Sequence, residues 1–397
     1  MTATFSPDDV VAYRLRAHGL TSRLDAGETA LIDAAGRCGI QNSPPGAALL
    51  ALHARVRGVT AHGLDTAVGE SKALLQTWSM RGAPFYFPTA DAPVFTAGVL
   101  PPTERSMLHL IRPVARPLAA LGLTLTDAVG LVGDQLHTVL AGRRLAIGPL
   151  GAELCDRVGD SLAPAQQRMW RSEGAFAPGQ PLGEAVVHFC VRILTLQGEL
   201  CFAPRADGTA PFVLVDEWLG APIRITAPEM SRAELVRRYL RRYGPSTRAD
   251  FAAWIGVTAG DAADWWRLVQ DDLVPIRFRG TSWMLSEDAH LLGSAPLPTG
   301  VRLLPPRDPY TQARDRDTLV DRSHAKQLWM NVGEPGAVLA DVRIAGVWRP
   351  RKRGARLALT ITPFATLSAR TRSALEAEAE SVAPLRGASG ASVSYDD

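Results

Sequence analysis

The sequence predicts an α+β protein of tandem winged-helix units, short helices leading into two-stranded ribbons, with a β-rich domain at the C-terminus. Three observations predict it. A chain of 397 residues exceeds one ordinary core and implies several folded units. Hydrophobic residues make up 46% and charged residues 21%, the balance of a globular protein and not a disordered one. Residues 228–290 read as helix, helix, helix, hairpin, each boundary marked by capping or turn chemistry.

In the first unit, 1–100, helical spacing recurs at about 8–18, 27–38, 45–57 and 64–78, and RGAPFYFP (81–88) reads as a strand. In the second, 101–227, a helix over about 127–141 ends at Gly142, GPLGAELCDRVG is a second helix and 183–197 a third. Strand-like GELCF and PFVLV then flank the Asp207-Gly208 turn. In the third, 228–292, Ser231 and Glu234 form a capping box for a helix that stops at Gly244-Pro245. A second helix begins at Ser246-Thr247 and ends at Ile255-Gly256; Thr258 and Asp261 open another that reaches about Asp272. LVPIRFRGTSWMLS folds back at Arg279-Gly280-Thr281. Residues 293–387 carry two strands around a basic turn and an amphipathic helix, and 388–397 are expected to be a disordered tail.

Cys38, Cys155, Cys190 and Cys201 lie far apart, which excludes a zinc-ligand spacing and a disulfide framework. No metal or other cofactor is expected. No run approaches the roughly 18 apolar residues of a membrane span, and acids stand where a secretory leader is basic. These features predict a cytoplasmic protein.

Net charge is only +3, but 40 of the 43 basic residues are Arg. Arg suits phosphate because its planar fork binds two oxygens; a GC-rich genome enriches it equally, so position must decide. The 259–272 helix sets Asp261, Asp264, Asp271 and Asp272 against Arg267, a face that repels phosphates, and its Trp265 and Trp266 read as core. The preceding segment clusters Arg237, Arg238, Arg241 and Arg242, either along a nucleic-acid backbone or in salt bridges to neighbouring units. Between Arg343 and Arg356 stand six basic residues and no acid. Trp348, Arg349, Arg351, Lys352 and Arg353 are there the candidate DNA contacts, the indole for stacking and the cations for phosphate.

Four segments, WSMRGAPFYF, RRYLRRYGPSTRADFAAWIGV, VRLLPPRDPYTQARDR and IAGVWRPRKRG, stand in an order that resembles the winged-helix family containing the AlkZ/YcaQ-type DNA glycosylases. The resemblance spans about 10 to 385. It implies three winged helices and a β-rich domain around a C-shaped cleft, and nucleoid-associated repair of double-stranded DNA by a monomer. It also implies removal of bulky N7-alkylated purines, including crosslinked ones. The family signature Gln-x-Gln or Gln-x-Asp falls on Gln41-Asn42-Ser43: Gln41 matches, and Ser43 stands where the second Gln or Asp is expected. Phe85 stands where the family often has His.

An N7-alkylated purine is a cationic leaving group and needs no general acid, so the protein must hold DNA, place a water and tolerate developing charge. Gln41 and Ser43 are the candidate catalytic pair, because residues two apart in extended chain point the same way. Ser43-Pro44-Pro45 also reads as an N-cap followed by a helix. The alternatives are a non-catalytic DNA-binding protein, for damage recognition or regulation, and a protein-interaction module.

Overall fold

The computed structural model describes residues 5–206, 208–225, 227–294 and 297–396. Asp207, and with it half of the expected Asp207-Gly208 turn, lies outside them. The protein mixes helices with three antiparallel or largely antiparallel sheets.

In the N-terminal part, α1 (Pro7–Ala17) is opened by a Ser6–Asp9 capping box with Pro7 at its first position. It is followed by α2 (Glu28–Gly36), β1 (Ile40–Gln41), α3 (Ala47–His53) and α4 (Ala61–Gly69). The helix expected to run on to residue 78 stops at Gly69. β2 (Leu74–Trp78) replaces its second half, pairing antiparallel with β3 (Pro84–Pro88). β2 buries polar Gln76 and Thr77 along with Leu74 and Leu75, so it lacks the apolar–polar alternation that marks a half-exposed strand.

α5 (Leu125–Leu140), α6 (Ile147–Ser161) and α7 (Leu182–Gln197) pack on one another, and β4 (Leu200–Phe202) and β5 (Phe212–Leu214) follow. These strands continue the first sheet in the order β1-β3-β2-β4-β5, joined where Gln76 meets Phe202. The boundary expected at residue 100 therefore runs through a shared sheet.

α8 (Pro228–Tyr243), α9 (Arg248–Ile255) and α10 (Ala259–Arg267) lead into the hairpin β6 (Leu273–Arg277) and β7 (Thr281–Leu285). Thr247 and Thr258 cap their helices as expected, each accepting from the third following amide. Ser231 does not: α8 begins three residues earlier at Pro228, which takes the first position and leaves Ser231 buried inside the helix.

The C-terminal sheet has the order β12-β11-β10-β9-β8, with β8 (Val301–Leu304), β9 (Gly336–Ala340), β10 (Arg343–Arg353), β11 (Arg356–Pro363) and β12 (Gly390–Tyr395). α11 (Ala369–Val382) covers it. The expected disordered tail is instead an edge strand, parallel to β11, with Ala391 buried under α11. The four cysteines are free and buried. Among the described residues, no single helix is long and apolar enough to cross a membrane.

Candidate functional site

Gln41 ends β1, opposite Phe85 of β3, and is 4% exposed. Gly39 permits this placement. Its φ of +71 suits glycine, and a Cβ there would stand 3.0 Å from Phe95 and 3.2 Å from Phe85. Just past β1 the Asn42 amide also donates to the Pro84 carbonyl, at 2.8 Å. The expected N-cap at Ser43 is not formed: α3 begins at Ala47 with Gly46 as its N-cap, and Asn42 Oδ1 accepts from the amides of Gly46 at 2.9 Å and Ala48 at 3.4 Å across the preceding turn. Ser43 is half-buried and its hydroxyl has no hydrogen-bond partner among the described residues.

The side chain that meets Gln41 is Arg81. It sits in the tight β2–β3 turn at φ 56, where its Nη2 donates to Gln41 Oε1 at 3.1 Å and its Nη1 to the Trp254 carbonyl. Gly256, the C-cap of α9, lets the two elements touch: a Cβ there would lie 3.0 Å from Arg81 Cγ. Burial, and next the like charge of Arg314, push the Arg81 guanidinium down to about 10, so it stays cationic at neutral pH. A guanidinium only donates, so the contacting atom of Gln41 must be its carbonyl oxygen. The amide nitrogen, with two N–H groups, is left without a partner among the described residues. No carboxylate hydrogen-bonds Gln41 or Ser43 among the described residues, so the arrangement can orient a water but not deprotonate it.

Helix α8 does not present its arginines to a ligand. Arg238 grips Asp91 through two bonds of 2.7 and 2.8 Å and Glu234 through a third of 2.8 Å. Arg237 pairs with Asp272 at 2.8 Å, Arg241 with Glu287, and Arg242 is given to the Arg37 carbonyl at 3.3 Å. Of the two readings of this cluster, internal salt bridging is the one observed. The opposite face supplies Leu235, Tyr239, Leu240 and Tyr243 to the core, where Tyr239 stands 5.0 Å from Trp254.

Trp348 is a second correction. It is 1% exposed, its indole N–H donates to the Leu304 carbonyl at 2.8 Å, and it cannot stack on a base. It faces the core because alternation turns it there: Arg349, Arg351 and Arg353 point to the other side of β10 and are exposed. Lys352 is exposed as well. None of these four pairs with a carboxylate among the described residues, whereas Arg343 is taken by Asp8 at 2.9 Å. The hairpin tip is therefore a cationic strip.

Three arginines escaped the sequence reading: Arg81, Arg192 and Arg314. Arg81 stood in a segment singled out for its resemblance, but its contact with Gln41 spans 40 positions and has no local signal.

The chain is similar to known proteins in sequence and in fold. The family model described as DNA glycosylase AlkZ-like matches residues 34–385. The interstrand DNA cross-link repair glycosylase of Streptomyces sahachiroi is 26% identical over 204 residues, 49% of this chain and 54% of that protein, so the matched region spans about half of that relative. The structure of Streptomyces sahachiroi DNA glycosylase AlkZ superposes with a TM-score of 0.75 at 22% identity, covering 100% of both chains, and so shares the fold.

Proposed function

We propose, for a chain that belongs to the AlkZ-like family of DNA glycosylases, that it hydrolyses the N-glycosidic bond of N7-alkylated purines in double-stranded DNA, crosslinked ones included. The observation that carries this is the Gln41–Arg81 pair. With its carbonyl pinned at 3.1 Å, Gln41 offers N–H donors from a fixed position and can hold a water oxygen near C1′. Neither Gln41 nor Ser43 is a base, so on this reading the bond breaks early, through an oxocarbenium-like sugar. Such a route suits a base that already leaves as a neutral molecule from a cationic adduct. Unmodified purines would be left intact.

The same reading takes the chain as tandem winged-helix units over 1–100, 101–227 and 228–292 with a β-rich domain over 293–387, curved into a C-shaped cleft. The helix–helix–helix–hairpin order of α8 to β7 supports the third unit. A monomer acting on the nucleoid in the cytoplasm completes it, with Arg349, Arg351, Lys352 and Arg353 on the phosphate backbone. The test is direct: excess protein is incubated with a duplex carrying one N7-methylguanine, and free base is measured. Release is expected; none at all would refute the activity. A second reading, DNA binding without catalysis, is favoured by Ser43 and Phe85, neither of which gives Gln41 an acid or a base beside it. It predicts salt-dependent binding and no free base.

A further inference from the structure

A guanidinium kept partly from water without a carboxylate is costly, and two half-buried arginines, Arg192 and Arg314, form no ion pair among the described residues. The Nε of Arg314 is buried and unpartnered among the described residues. The acids of its own segment face elsewhere: Asp308 grips Arg55 at 2.8 Å and Asp315 grips Arg14 at 2.9 Å. Arg307 is relieved by Glu334 at 3.2 Å, and Arg316 lies 4.7 Å from the Trp329 ring. Arg314 has neither. Its charge is nonetheless felt at Arg81, which burial and Arg314 together depress. Arg192 of α7 passes 3.6 Å from where a Cβ at Gly82 would stand, and its Nε too is buried and unpartnered among the described residues. The faces of Trp78 and Phe189, at 5.1 and 5.0 Å, hold it as a cation without neutralising it.

We propose that Arg192, packed on the Arg81 turn, and Arg314 are the receptor for the phosphodiesters either side of the nucleotide presented to Gln41. The identity of that nucleotide rests on the glycosylase reading above; the anion site rests on the orphaned guanidiniums. Each planar fork can take a phosphate through two charge-assisted bonds, which offsets the cost of keeping the cations bare. The phosphates also answer an electrostatic problem. Arg81, Arg192 and Arg314 alone would oppose the positive charge that develops on the sugar, and two flanking anions offset most of that opposition.

The experiment uses the full chain and a duplex with one N7-methylguanine, measuring dissociation constants between 50 and 200 mM salt beside single-turnover base release. Arg192→Ala and Arg314→Ala should each weaken binding by about tenfold and flatten the dependence of log K on log salt by about one. Their thermal midpoints should stay level or rise, because a bare charge has been removed, a result that a structural arginine would not give. Arg→Lys variants carry the test should the alanine forms not fold: they should keep the salt slope and lose a few-fold in affinity. Unchanged affinity and slope in both variants would overturn the site while leaving base release to judge the activity. Flattened slopes in a protein that releases no base would uphold the site and refute the activity.

Discussion

Helix α8 and strand β10 hold the two densest arginine clusters in this chain, and they behave oppositely. On α8 the carboxylates of Asp91, Glu234, Asp272 and Glu287 take up Arg238, Arg237 and Arg241. On β10 the outward face carries Arg349, Arg351 and Arg353, about 6.8 Å apart in an extended strand, with no acid against them among the described residues. Charge density in the sequence is the same signal in both. What separates them is whether distant acids fold onto the same face, as Asp91 does to Arg238 across 147 positions.

That contrast can be broken most severely at Trp348, whose neighbour Arg349 points the other way. Trp348→Ala should cost about 3–5 kcal/mol of stability, read by denaturant unfolding, because a fully buried indole leaves a cavity. Arg349→Ala should leave stability within about 0.5 kcal/mol. Next in size, the triple replacement of Arg349, Arg351 and Arg353 by Ala should lower duplex affinity about a hundredfold at physiological salt and reduce the salt slope by about three. An unchanged slope would remove β10 from the interface. Arg238→Ala should do the reverse. Breaking a largely buried pair costs about 2 kcal/mol in folding, with the salt slope of DNA binding untouched.

The smallest effect is one of pH. His18 lies between Tyr243 and Tyr310, and burial, then the charges of Arg55 and Arg242, hold its pKa well below the ordinary value. The folded protein keeps it neutral while the unfolded chain takes up a proton below about 6.5. Stability is therefore full above that pH and falls as pH drops, by up to about 1.4 kcal/mol per unit. His18→Leu should flatten the acid limb of a melting-temperature profile, and an identical limb would refute the assignment.

The hairpin unit was legible because its signals are local: Thr247, Thr258 and the Arg279-Gly280 turn each act within four residues. Gln41 was legible only through the resemblance. The fate of α8, the inward turn of Trp348 and the pairing of β12 with β11 were not, since each depends on a partner far along the chain. For Trp348 even the alternation is disguised, by a register shift between Ile344 and Gly346 that changes which residues face the core. Arg81 shows the limit most sharply, because its tight turn hides a long-range bond to Gln41, the candidate catalytic residue.

The central claim is that Gln41, held by Arg81, carries the chemistry and not the binding. Single-turnover release of N7-methylguanine by wild type and Gln41→Ala, with duplex affinity measured on the same preparations, tests it most directly. A rate lower by about a hundredfold or more at an affinity within about twofold is the expected outcome. Equal rates, or a fall in rate matched by an equal fall in affinity, would contradict it.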